Sequence, residues 1–150
     1  MKLLIGSAGA LLLVRLLLSA VFLDAALPKL QDPAGFTNDI AAYQLTGAAV
    51  SAWVAIILPW AELACAIGLL IPWTRRASGL LLSLLLVAFI GLHLSAWARG
   101  LDIACGCFGN ETADYEANYP WLLARNLLLL AGVTWTVRND FRNNPTRSAA

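Results

Sequence analysis

A bundle of four membrane-spanning α-helices is the fold this sequence predicts, and three observations predict it. Sixty per cent of the 150 residues are hydrophobic and only 13% are charged, with a mean hydropathy of +0.73. The apolar residues gather in four runs, at about 3–23, 45–71, 77–97 and 121–137. Each is long enough for a hydrocarbon core, which takes roughly 17–25 helical residues to cross. Charge is nearly absent inside them: the third run has no charged residue, and the others have only Arg15, Glu62 and Arg125. Residues 1–137 thus read as one membrane domain, followed by a polar tail, 138–150.

The first run begins after a single basic residue, Lys2, and is interrupted by Arg15. No small-x-small cleavage pattern follows it, so it reads as a retained helix and not a signal peptide. It is expected to end near Asp24, because Pro28 resists continuation of a helix. The connection to the second run carries Lys29, Asp32, Pro33, Gly35 and Phe36, and a short interfacial helix is expected after Gly35. Pro59 lies inside the second helix and predicts a kink whose freed carbonyl the neighbouring helices can satisfy. Residues 72–76 form a tight basic turn, which makes the helices it joins antiparallel neighbours. The connection 98–120 is the only long polar stretch, and loops above about 12–15 residues are commonly functional. Trp53, Trp97, Tyr119 and Trp121 fall near one membrane boundary, and Trp73 and Trp135 near the other, as headgroup-level anchors do.

Orientation follows from the basic residues. Lys2, Arg75, Arg76, Arg138, Arg142 and Arg147 lie on one side, against Lys29 and Arg99 on the other. The richer side is expected to be cytoplasmic, with both termini there and the 98–120 loop extracytoplasmic. In a bacterium this means the inner membrane and the periplasm. A net charge of +1 says nothing about nucleic acid, and no basic cluster points to such a partner, so no nucleic acid is expected; the bilayer is the partner that composition demands.

The exposed chemistry is concentrated in Cys105-Gly106-Cys107. Residues i and i+2 lie roughly 5.5–7 Å apart at Cα, near the range a disulfide bridges, and Gly106 can adopt the backbone angles that close so small a ring. Strained, exposed disulfides tend to be oxidising and labile, so the pair reads as a dithiol/disulfide exchange site. A periplasmic location would let such a bond persist. A structural crosslink or part of a metal site are the other uses. Zinc would need four ligands, and only His93 and loop acids could join the two thiols; copper(I) could accept two thiolates. No metal is therefore expected.

Ionisable groups at membrane depth are costly and are by default paired or functional. Counted from a helix end at residue 23, Arg15 lies about 12 Å deep and Glu62 somewhat deeper, with His93 and Arg125 shallow at roughly 6–8 Å. Arg15 and Glu62 are expected to meet, either as a packing ion pair or, with Arg125, as a polar pocket that holds a quinone headgroup or relays protons. His93, one turn before the cysteine loop, is a candidate base for a thiol. Cys65 lies three residues after Glu62, too far from the loop to join its thiols, and reads as a small packing residue.

Three segments then carry a resemblance: Arg15…Val21-Phe22-Leu23…Lys29-Leu30-Gln31-Asp32-Pro33-Ala34-Gly35-Phe36, Leu58-Pro59-Trp60-Ala61-Glu62-Leu63, and Gly100-Leu101-Asp102-Ile103-Ala104-Cys105-Gly106-Cys107-Phe108-Gly109. Together they resemble MauE/DoxX-type membrane proteins over about residues 10–135, and the Cys-Gly-Cys-Phe-Gly element is specific to the MauE branch. The resemblance implies a four-helix bundle in the cytoplasmic membrane that serves methylamine utilisation. It implies a periplasmic thioredoxin-like partner, MauD-like, and a disulfide-rich client such as the small subunit of methylamine dehydrogenase. By analogy with DsbB and vitamin K epoxide reductase, a quinone is a candidate electron acceptor, although those proteins use two cysteine pairs. Two other functions fit the same residues: a non-catalytic assembly factor with a permanent Cys105–Cys107 bond, and a small-molecule carrier built around Arg15 and Glu62.

Overall fold

The computed structural model describes residues 2–101 and 118–143, with side chains over 9–101 and 118–142. Among these residues the chain is all-helical, in the order α1 (Lys2–Gln31), α2 (Pro33–Ala42), α3 (Ala48–Gly68), α4 (Arg75–Ala98) and α5 (Tyr119–Asn143). Four helices are long and apolar enough to cross a membrane, at Gly9–Gln31, Ala48–Gly68, Arg75–Ala98 and Tyr119–Arg142. α1 packs on α3 and α5, and α4 packs on the same two, which closes a ring of four; α2 lies across α3.

α1 departs from expectation: it runs past Asp24 and through Pro28 to Gln31. The reason is burial. Leu18, Phe22, Ala25, Ala26 and Lys29 are all buried, and their spacing of three and four keeps one helix face against the bundle. Continued packing of that face outweighs the one backbone bond that Pro28 removes. Asp24 is exposed on the opposite face.

The short helix after the first span also exists, but it begins at Pro33, before the start expected after Gly35. Asp32 is the N-cap, its Oδ1 accepts from the Gly35 amide at 2.9 Å, and Pro33 takes the first helical position, the two residue types helix starts favour.

The core is a layer of Leu18, Phe22, Cys65, Ala66, Leu69, Leu82, Leu86, Val133 and Val137, drawn from all four long helices. Cys65 is thus a packing residue, as its position beside small neighbours suggested. Small residues allow close approach nearer the end that holds the termini. A Cβ on Gly79 would lie 2.4 Å from Val137 Cγ2, and one on Gly68 would lie 2.1 Å from Ser78 Oγ. Across the helices, Ser19 Oγ donates to the Ala66 carbonyl at 2.7 Å. Leu12, Leu13, Leu16, Leu17, Leu84 and Leu128 point outward and are exposed. So much outward hydrocarbon is intolerable in water but suits a lipid-facing surface. Trp53, Trp73, Trp97, Trp121 and Trp135 are exposed, whereas Tyr119 is buried and is a packing residue, not an anchor.

Candidate functional site

The intramembrane charges pair differently from the sequence expectation. Arg15 does not meet Glu62. Its Nη2 lies 2.6 Å from Asp140 Oδ1 on α5, and Arg75 Nε is 2.9 Å from the same oxygen. Arg76 Nη2 donates to the Asp140 backbone carbonyl at 2.7 Å. This cluster sits at the end of the bundle that holds the termini. The cause is the added length of α1: counted from Gln31, Arg15 lies about 24 Å down the helix, not about 12 Å.

Glu62 pairs instead with Lys29. Lys29 Nζ is 2.9 Å from Oε1 and 2.7 Å from Oε2, and both side chains are 2% exposed. The Lys29 ammonium also lies over two rings, 5.3 Å from the Phe36 centroid and 5.5 Å from that of Phe89, a contact worth more when desolvated. Lys29 therefore binds α1 to α3 and fixes α2 and α4 through their phenylalanines. Arg125 and Asn126 of α5 share a cavity of about 30 Å³ with this pair. A space that size holds a water or two and nothing larger. Glu62 and Arg125 thus come together, Arg15 does not join them, and a carrier pocket built on Arg15 and Glu62 loses its basis.

At the opposite end from Asp140, α4 closes with a Schellman motif. Gly100 has φ +63°, its amide bonds to the Trp97 carbonyl at 3.0 Å, and the Leu101 amide bonds to that of Ala96 at 3.0 Å, the pairing this motif requires. α5 opens on Asn118, whose Oδ1 accepts from the Trp121 amide at 3.1 Å. The two helix ends are tied together, because the Tyr119 hydroxyl donates to the Leu101 carbonyl and Trp97 stacks on Tyr119 at 6.4 Å. Ala96, Tyr119 and Leu122 form a small core there, with Tyr43 and Leu101 packed against it. Arg99 Nη1 donates to the Tyr43 carbonyl at 2.7 Å and so joins the α2 end to the same base. Cys105 and Cys107 belong to the segment that leaves this base and lie outside the described residues, as do Asp102, Glu111, Asp114 and Glu116.

His93 is buried one turn below that base. Its Nδ1 lies 2.5 Å from the Phe89 carbonyl. A carbonyl can only accept, so Nδ1 carries the proton there and a neutral ring accepts at Nε2. Tyr43 meets the imidazole edge-on, with centroids 6.3 Å apart.

A second, larger cavity of about 200 Å³ opens between α2, α3 and α4. Phe36, Ile40, Val54, Leu58, Phe89 and Leu92 give its hydrocarbon lining, and Asp39, Tyr43 and Thr46 complete it with Leu45. Burial, reinforced by the charge of Asp32, raises the Asp39 carboxyl above its ordinary value. Sequence reasoning missed Lys29, Asp140 and this cavity. For Lys29 a signal existed: it continues the helical spacing of Leu18, Phe22 and Ala25. Among the described residues no group of three His, Cys, Asp or Glu side chains is arranged to hold a metal.

The family model described as methylamine utilisation protein MauE matches residues 7–138. The chain is 33% identical over 120 residues to the methylamine utilization protein MauE of Paracoccus denitrificans, covering 79% of this chain and 63% of that one. It is 33% identical over 127 residues to the protein of that name from Methylorubrum extorquens, with coverages of 81% and 67%, and 32% identical over 99 residues to that of Methylophilus methylotrophus, with 65% and 52%. The chain thus spans about half to two thirds of the length of these relatives. No solved structure matches. A family-model match over residues 7–138, on a chain with four membrane-span candidates among its described residues, places this protein in the MauE family.

Proposed function

We propose that this protein is a membrane thiol–disulfide exchange factor whose Cys105–Cys107 pair works with a thioredoxin-like partner to mature a disulfide-rich client outside the cytoplasm. The observation that carries the reading is a Cys-Gly-Cys element in the one long polar segment of the chain, both ends of which spring from the Leu101–Tyr119 clamp. A dithiol on a fixed base meets a partner in a defined orientation, at a lower ordering cost than one on a free tail.

In the exchange, a thiolate of one molecule attacks a disulfide sulfur of the other. A mixed disulfide forms, and the second cysteine of the attacking pair attacks the first one's sulfur and releases the other molecule's thiolate, which leaves the attacking pair oxidised and the other reduced. Electrons and protons balance between the two proteins, so no further reactant is needed for this step. His93 serves as the base that takes a thiol proton, and the acidic residues of the loop favour a partner with a basic docking face. The relatives' names supply the setting, methylamine utilisation, for which the client would be the disulfide-rich subunit of a methylamine dehydrogenase and the partner MauD-like. The charge bias of the sequence supports cytoplasmic termini and a periplasmic cysteine segment in the inner membrane.

The test is the redox equilibrium of Cys105 and Cys107 in the purified full chain, read by thiol trapping across a glutathione series. A midpoint near the poise of an oxidising compartment, roughly −180 to −210 mV, together with exchange onto a thioredoxin-like protein, is the expected result. A bond that glutathione cannot open would make the loop a permanent docking element and end the exchange reading.

A further inference from the structure

We propose that the guanidinium cluster around Asp140 binds the phosphodiester of an anionic phospholipid, whose acyl chain lies along the outward face of α4. The site is at the end of the bundle away from the cysteine segment and does not depend on the exchange function.

Three observations lead to it. The first is charge. Arg15, Arg75 and Arg76 converge on one carboxylate, and α5 adds the exposed Arg138 and Arg142 to the same end. Outside the Lys29–Glu62 pair, the opposite end carries Asp24, Asp32 and Asp39 against Arg99 and Arg125. Among the described residues, then, cations are in excess only at the Asp140 end. A zwitterionic headgroup cannot balance that excess, whereas a headgroup with a net negative charge can. Basic pockets between membrane helices bind such headgroups.

The second is the supply of donors. A guanidinium has five N–H donors, and Asp140 engages Nη2 of Arg15 and Nε of Arg75. Arg75 and Arg76 open α4, where positive side chains oppose the helix dipole unless an anion joins them. No side chain caps this helix: Thr74 turns its hydroxyl back to the Gly68 carbonyl at 3.0 Å. A phosphate here would meet the first amides of α4 and fork-shaped donors that can hold two of its oxygens.

The third is a path for the tail, which separates a lipid from a free anion. Leu80, Leu84 and Val87 are exposed and follow Arg76 at intervals of four and three, so all four residues share one face of α4. Trp73, also exposed, precedes that face at the level of the headgroups. The Arg76 guanidinium is held at the top of the stripe, 4.9 Å from the Phe141 ring centroid. A phosphate at Arg76 therefore leads its acyl chain down over Leu80 and Leu84. A soluble anion has no use for that stripe.

The experiment is melting of the purified full chain in a neutral detergent, titrated with dioleoylphosphatidylglycerol, dioleoylphosphatidylcholine or inorganic phosphate. Phosphatidylglycerol is expected to raise the melting temperature saturably, as a ligand of the folded state does; the other two are expected to leave it unchanged. Arg75→Gln and Arg76→Gln, each judged against its own lipid-free melting, should bind phosphatidylglycerol about fivefold more weakly. Arg138→Gln combined with Arg142→Gln, which leaves the cluster intact, should change affinity less than about twofold. Leu80→Glu guards against misfolding of the two arginine variants, since it lies outside the ion pairs. Its carboxylate, one turn below Arg76, competes for that guanidinium and should also weaken binding. Equal stabilisation by phosphatidylcholine would reduce the site to ordinary solvation by lipid, and stabilisation by inorganic phosphate would make it a free-anion site. An equal loss in the Arg138/Arg142 double variant, or unchanged affinity in Leu80→Glu, would likewise overturn the proposal.

Discussion

Lys29 and Glu62, 33 positions apart, share two hydrogen bonds of 2.9 and 2.7 Å inside the bundle, with both side chains 2% exposed. Either charge alone at that depth is unfavourable by several kcal/mol, since a water or two in the adjoining cavity cannot replace a full hydration shell. The pair therefore specifies which helix faces meet more than it adds stability.

Unequal effects of single and double substitutions follow from this pairing. Glu62→Gln or Lys29→Met alone should destabilise the detergent-solubilised protein by ~3–5 kcal/mol, because each leaves one buried charge without its partner. The double change Lys29→Met with Glu62→Leu should recover most of that loss. Melting of the four proteins measures it; additive losses would mean that the two residues act independently.

Asp140 is the corresponding joint at the end with the termini, where Arg15, Arg75 and Arg76 converge from α1 and α4. Asp140→Asn leaves three guanidinium groups facing one another with no carboxylate between them. It should lower the melting temperature more than Arg15→Gln does, and added salt should narrow the gap by screening the repulsion. A smaller loss for Asp140→Asn would show that the cluster is solvated like an ordinary surface.

These two joints also mark how far the sequence could be read. The four spans are legible because run length is a local signal, and so is a short helix after the first span, although it starts at Pro33 and not after Gly35. The packing role of Cys65 is legible too. The partners of Arg15 and Glu62 are not. Depth counted from a helix end at residue 23 is misleading, because the buried stripe that continues through Ala25, Ala26 and Lys29 outweighs the breaking effect of Pro28. Eight further residues of α1 moved Arg15 to the other end of the bundle and brought Lys29 inside. Asp140 could not have been found from its own surroundings, since a carboxylate in a basic polar tail looks like solvent-facing chain. The cavity under α2 depends on how that helix lies over α3, which no local pattern encodes.

Close approach of α4 and α5 rests on Gly79, where a Cβ would fall 2.4 Å from Val137 Cγ2. Gly79→Ala should therefore destabilise by ~1–3 kcal/mol, as overpacking does, despite alanine's better helix propensity. Adding Val137→Ala should restore part of the loss. If Gly79→Ala proves stabilising, the helices can move apart at no cost.

Asp39 should make stability depend on pH in a defined direction. Burial and Asp32 raise its carboxyl in the folded state, so between the unfolded and the raised folded value the folded protein binds more protons than the unfolded one. Stability then falls as pH rises through that window, and the cost is fully present above it. Asp39→Asn should melt higher than wild type at neutral pH, with the difference shrinking as pH falls below the window. A difference that is constant with pH would trace to packing and not to ionisation.

His93 offers the sharpest separation between a catalytic and a structural role at the cysteine end. Its Nδ1 is engaged by the Phe89 carbonyl at 2.5 Å, so only Nε2 can take a proton from a thiol. Glutamine at this position keeps an amide donor for the carbonyl but cannot act as a base near neutral pH. If His93 activates the dithiol, His93→Gln should move the pH midpoint for alkylation of reduced Cys105 and Cys107 upward by about one unit, with little change in melting. If it serves only to join the imidazole to its own helix, the midpoint stays where it is, and thiol activation must come from the cysteine segment or from the partner that binds it.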